Sequence, residues 1–131
     1  MKVTEIQRNV VDRFFKAMQA GKEGENSLMA LFAPDAILTE PFSGAIQTHH
    51  GIDAIRNSFR CTWESPVPDV CLEVNRVDLD GSRIRAEWTC SAPVFPSPIK
   101  GHDLFDIREG KIARLEIVVT EMPVMDTAEI K

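Results

Sequence analysis

The feature that most restricts this chain is a change of hydrophobic period near its middle. Before Trp63, one stretch over 36–42 apart, apolar residues recur every three to four positions; from Val70 to Val119 they recur every two. The first spacing buries a stripe along a helix and the second buries one face of a strand, so helices gather first and strands follow. The β half carries its own turns. Asp80-Gly81 joins the run Val70–Leu79 to a return run in which Ile84, Ala86, Trp88 and Cys90 alternate. Glu109-Gly110-Lys111 likewise joins Gly101–Ile107 to Ile112–Val119. Asp-Gly supplies the positive φ that a tight hairpin demands. The proline-rich stretch 93–98 interrupts pairing and forms a rim or a bulged edge.

Thr4 and Gln7 make a capping box ahead of Ile6, Val10, Phe14 and Met18, which predicts a helix from about Glu5 to Ala20 with Gly21 as its stop. A polar link over 22–25 leads to Asn26, the expected cap of a short helix over Ser27–Phe32 that ends at Pro34 and Asp35. Ala36 to Phe42 reads as a strand with Leu38, Glu40 and Phe42 on one face, and Pro41 suits an edge or a strand end. A loop follows to Gly51. A third helix with Ile52, Ile55, Phe59 and Trp63 on one face stops before Pro66. The predicted fold is α+β: three helices in the N-terminal half pack on a curved antiparallel sheet of four or five strands and enclose an apolar pocket. A single domain over 1–120 with a tail over 121–131 is expected.

A net charge of −5 with no Lys/Arg cluster argues against nucleic acid, which needs clustered cations to neutralise phosphates, and against an anionic membrane surface. No apolar stretch approaches the roughly 20 residues that span a bilayer. The N-terminal segment lacks a continuous apolar core of the secretory kind. Cys61, Cys71 and Cys90 are an odd number without C-x-x-C spacing, so half-buried reduced thiols and a cytoplasmic setting are expected.

Two carboxylates fall on faces that should be buried. Glu40 shares its face with Leu38 and Phe42; Asp103 shares its face with Phe105 and Ile107. Desolvation raises a carboxyl's pKa, which would make Glu40 a stronger base and leave Asp103 protonated, able to donate to a substrate oxygen. For each there is a plainer reading, a solvated rim position for Glu40 and a backbone-bonded strand start for Asp103. His49, His50 and His102 match no metal-ligand spacing, so no metal is expected, and one histidine, with His50 the candidate, should line the pocket mouth. Alternation turns His102 away from the side that Asp103 takes. Phe14, Met18, Phe59, Trp63 and Trp88 supply bulk for the core and for the lining of any cavity. No phosphate loop, nucleophile elbow or Cys–His pairing occurs, so no cofactor is expected.

Taken in order, the stretches RFFKAMQAG over 13–21, LMALFAPDA over 28–36, Glu40-Pro41, GIDAIR over 51–56 and GHDLFDIREGKI over 101–112 resemble the ketosteroid isomerase / nuclear transport factor 2 superfamily, nearest its SnoaL-like polyketide cyclase and isomerase branches. The resemblance runs from about Glu5 to Val119. It implies a cone-shaped sheet around a deep apolar pocket and a homodimer through the outer sheet face. It also implies Glu40 in the place of the general base of an Asp-Pro pair. Asp103 would match a protonated oxyanion-hole acid, if the following turn is one residue shorter. Phe14 and Phe59 align with tyrosines of that family, and this chain has no tyrosine. Loss of one oxyanion donor costs about 2.7–4 kcal/mol of transition-state stabilisation. The His–Asp and Asp–Arg–Asp sets of the dehydratase and epoxide hydrolase branches find no counterpart in the sequence. The implied activity is a cofactor-independent isomerase or cyclase moving a proton next to a carbonyl of a small apolar steroid- or polyketide-like compound. The alternative is a non-catalytic small-ligand-binding or dimerisation module of the same fold.

Overall fold

A computed structural model describes residues 2–42, 44–64 and 66–123. Helix α1 spans Glu5–Ala20; the Thr4 hydroxyl accepts from the Gln7 amide while the Gln7 side chain accepts from the Thr4 amide, so two otherwise orphaned donors are satisfied. Its stripe of Val10, Val11, Phe14, Phe15 and Ala17 is buried, and Gly21 stops it at a φ of 66°. The chain then continues without a coil. A 3₁₀ turn, Gly21–Gly24, runs directly into helix α2, Glu25–Met29, so the second helix lies earlier than the cap at Asn26 predicted. Gly24 permits this tight passage, since a Cβ there would meet the Ala17 carbonyl oxygen at 2.6 Å.

Phe32, expected in that helix, instead opens strand β1, Phe32–Glu40. Pro34 and Asp35 sit inside the strand, where the register with its neighbour shifts between Phe32 and Ile37. Pro41 ends β1, and the alternation ends with it: Leu38 and Glu40 are buried, but Phe42 is turned out to solvent. Strand β2, Gln47–His50, pairs antiparallel with β1 within a segment expected to be loop. Helix α3, Ile52–Trp63, presents Ile55 and Phe59 to the core. Strands β3 (Cys71–Asp80), β4 (Arg83–Ser91), β5 (Ile99–Arg108) and β6 (Lys111–Glu121) complete the fold. Residues 92–98, proline-rich, link β4 to β5 without joining the sheet.

The sheet is curved, six-stranded and unclosed, in the order β2-β1-β6-β5-β4-β3. It is not wholly antiparallel: β1 lies parallel to β6, because the chain enters the sheet at β1 and returns beside it only after the full meander. The face turned to the helices reads in rows. Ile84, Phe105, Leu115 and Leu38 form one; Ala86, Asp103 and Ile117 form the next. These side chains merge with Phe14, Phe15, Phe32 and Phe59 into one core. The Gln19 side chain fastens the end of α1 to the start of β3, accepting from the Leu72 amide at 2.7 Å and donating to the Val70 carbonyl at 3.0 Å.

The third row holds Trp88, whose ring lies over Gly101, its pairing partner on β5. A Cβ on Gly101 would stand 2.6 Å from the indole and 2.2 Å from the Val118 carbonyl oxygen. Gly101→Ala is therefore expected to lose about 1–3 kcal/mol of stability through forced displacement of ring and backbone. Urea unfolding checks this; an unchanged midpoint would mean the ring is free to move. Among the described residues no helix is long and apolar enough to cross a membrane. The three cysteines are free thiols, with Cys61 and Cys71 exposed rather than half-buried. Of the tail expected over 121–131, Glu121 ends β6 and residues from 124 lie outside the described residues.

Candidate active site

Glu40 occupies the last position of β1, facing the helices, with 5% of its surface exposed. Three donors converge on it. The Phe42 amide donates to Oε1 at 2.7 Å, because the chain turns back immediately after Pro41. His49 Nε2 lies 2.8 Å from Oε2, and the Ser58 hydroxyl donates to the same oxygen at 3.2 Å. Strand pairing explains His49. Gln47 stands opposite Glu40 and His49 opposite Leu38, so Gln47 and His49 share the face of the carboxylate and His50 takes the other face. Thus His50, the sequence candidate, is exposed and outside this cluster, and its neighbour His49 belongs to it.

Burial acts to raise the pKa of Glu40, but the contacts from His49, the Phe42 amide and Ser58 outweigh it and hold the carboxyl below its ordinary value. Glu40 is thus a buried carboxylate kept ionised by three protein donors, contrary to the strengthened base expected from burial alone.

The groove beside it has a volume of about 760 Å³ and runs between α3 and the β1–β2 hairpin. Glu40, Phe42, Gln47 and His49 line one side; Ala54, Asn57, Ser58, Cys61 and Thr62 line the other. The α3 residues recur at spacings of three and four, forming a stripe of small and polar groups beside the apolar stripe that enters the core. That spacing was available in the sequence; the identity of what it would face was not. Helix α3 is held at its other edge by Glu25 of α2, which accepts from Arg56 at 2.8 Å and from Arg60 at 2.5 and 2.9 Å. These two guanidiniums, Arg60 foremost, hold the Glu25 carboxyl down to about 2.

Asp103 is buried in the core at 3% exposure and accepts a hydrogen bond from Trp88 Nε1 at 2.9 Å. Burial pushes its carboxyl up to about 7, against the opposing effect of the indole N–H. Its partner on β6 is Ile117, and Glu40 follows Thr39, the partner of Glu116, so Glu40 and Asp103 sit in one row with Ile117 between them. Two strand spacings amount to about 10 Å. Asp103 is not among the groove's lining residues, and neither are Phe14, Met18, Phe59, Trp63 and Trp88. Phe14, Phe59 and Trp88 are members of the core, Met18 packs against it, and Trp63 stacks on Phe59 with ring centroids 5.8 Å apart. His102 faces the opposite side of the sheet, where burial, followed by the charge of Arg85, lowers its pKa. Among the described residues no three His, Cys, Asp or Glu side chains converge as a metal ion would require.

Three comparisons relate this geometry to known proteins. The profile of the SnoaL-like domain matches residues 11–115. No curated protein matches the chain. Among solved structures, a candidate polyketide cyclase from Sinorhizobium meliloti is 26% identical, with a TM-score of 0.68 over 83% of this chain and 93% of that one. A candidate ketosteroid isomerase from Kribbella flavida is 18% identical, with a TM-score of 0.71 over 100% of this chain and 91% of that one. An NTF2-like protein of unknown function from Burkholderia xenovorans is 18% identical, with a TM-score of 0.69 over 96% and 91%. The last two likenesses speak for the fold, a helix-backed curved sheet of the NTF2 type. With four-fifths of its length inside the profile, the chain belongs to the SnoaL-like domain family.

Proposed function

We propose that this protein is a cofactor-independent isomerase or cyclase that moves a proton next to the carbonyl of a small polyketide-like or steroid-like compound bound in the α3 groove. The observation that carries this reading is the 2.8 Å contact between His49 Nε2 and Glu40 Oε2 on the groove wall. A carboxylate held below its usual range is a weak base. It is well suited to orient an imidazole and to stabilise the cation formed when that imidazole takes a proton. With Nε2–H donated to Glu40, the free lone pair of His49 is on Nδ1, and this is the atom assigned to proton removal. Ser58 and the Phe42 amide keep the carboxylate fixed while the ring cycles between its two states.

Solvent deuterium uptake tests it, using 3-oxo esters and β,γ-unsaturated ketones as probes. Wild-type protein should accelerate uptake at the carbon next to the carbonyl. His49→Gln and Glu40→Gln should each slow it by about a hundredfold or more. Uptake untouched by His49→Gln would remove the pair from the mechanism. The family fold also serves non-catalytic binding, and one observation favours that reading here: the rings of Phe14, Phe59 and Phe105 fill the space between the layers as core. Binding without uptake for every probe would select it.

A further inference from the structure

We infer that Gln47 is the residue that receives the substrate's carbonyl oxygen, and that the substrate lies along β2 with its reacting carbon at His49. This rests on the proton-transfer reading above and adds to it the direction and identity of the electrophilic partner. Enolisation needs two groups at a defined separation: a base at the carbon and a donor at the oxygen. Gln47 and His49 project from the same face of one strand two residues apart, so their backbones are separated by about 7 Å. An H–C–C=O unit flanked by one proton-transfer contact and one hydrogen bond spans a comparable distance. Gln47 is also the direct cross-strand partner of Glu40, lines the groove, and is solvent-exposed. Its carboxamide makes no side-chain hydrogen bond among the described residues, whereas His49 and Ser58 are both bonded to Glu40.

The step balances without a co-reactant. The C–H bond next to the carbonyl breaks and its proton passes to His49 Nδ1. The electron pair forms the C=C bond of the enolate, and the carbonyl oxygen takes the negative charge and accepts a hydrogen bond from Gln47 Nε2. The same proton then returns to a different carbon in isomerisation. In cyclisation the enolate carbon instead attacks a second carbonyl of the same molecule, whose oxygen takes the proton. The second donor that the family places in the core is not required, and the missing tyrosine is accounted for by an amide on β2.

The test compares Gln47→Ala and the near-isosteric Gln47→Glu with wild type in the deuterium-uptake assay on a 3-oxo ester. Gln47→Ala should lower kcat about a hundredfold with little change in KM, since the donor acts on charge that develops in the transition state. Gln47→Glu should lower it further, because a carboxylate repels the enolate oxygen; a merely structural role would tolerate this replacement better than Ala. The imidazole NMR signals of His49 should keep their wild-type chemical shifts in Gln47→Ala, establishing that the pair with Glu40 is intact. Wild-type uptake with an unchanged rate in both variants overturns the assignment of Gln47 and leaves the proton-transfer reading standing. Absence of wild-type uptake overturns both.

Discussion

Asp103→Asn should make this protein more stable than wild type at pH 8 and abolish most of the loss of stability that wild type suffers between pH 4 and pH 8. Burial in the core pushes the wild-type carboxyl up to about 7 against an ordinary value of 3.8, and among the described residues its side-chain hydrogen-bond partner is the indole N–H of Trp88. Between these two values the folded form holds a proton that the unfolded form has released. Asp103 therefore contributes stability that is fully present below the unfolded value and is lost as pH rises through about 7. At about 1.36 kcal/mol per pH unit the loss is on the order of 4 kcal/mol, a large part of the 5–15 kcal/mol typical of a domain. Asparagine preserves an oxygen acceptor for Trp88 and cannot ionise. Other groups act in the opposite direction at lower pH: Glu25 and Glu40 titrate below their ordinary values and withdraw stability as acid protonates them. Subtracting the two proteins' urea-unfolding curves, measured from pH 4 to pH 8, isolates Asp103. Parallel curves would mean the carboxyl reaches solvent.

The burial of Asp103 and Glu40 was legible from alternation, since each shares a strand face with large apolar residues. The direction of their titration was legible for only one. Asp103 is surrounded by its own row and neighbouring rows, whose apolar character the β-meander states directly, so desolvation outweighs the one opposing contact from Trp88. Glu40 is governed by donors brought from β2 and α3, and nothing in the residues flanking it specifies them. Gln47–His50 is four polar residues, too short and too hydrophilic to show a period, and it becomes a strand only because β1 offers it an edge. Which of two adjacent histidines faces the carboxylate is then a matter of register, and register is set by how β2 pairs with β1, not by the histidines. The capping box, the β-hairpin turns and the stop at Gly21 are local, and they were read correctly for the same reason. The parallel contact of β1 with β6 depends on how a distant strand returns, which no local signal encodes.

Phe14→Ala should cost about 3–5 kcal/mol of folding stability, which decides where chemistry can occur. Phe14 is 1% exposed and meets Phe15 and Phe105 edge-to-face with ring centroids 5.2 Å apart in each case, with Phe32 at 6.5 Å. A ring packed on three sides by other rings leaves a cavity when removed, and the surrounding rings, themselves core, cannot collapse into it fully. The resemblance to the isomerases would instead have this position face the ligand. In that case the truncation would enlarge a space already present, cost little stability, and impair binding or turnover of the 3-oxo ester. Urea unfolding and deuterium uptake on the same variant separate the two outcomes, provided uptake is measured where the variant remains folded. A large fall in stability with near-normal uptake by the folded fraction assigns the interior to structure and the α3 groove to chemistry. A small fall in stability with collapsed uptake would seat the substrate inside the cone beside Asp103 and remove the groove from the mechanism.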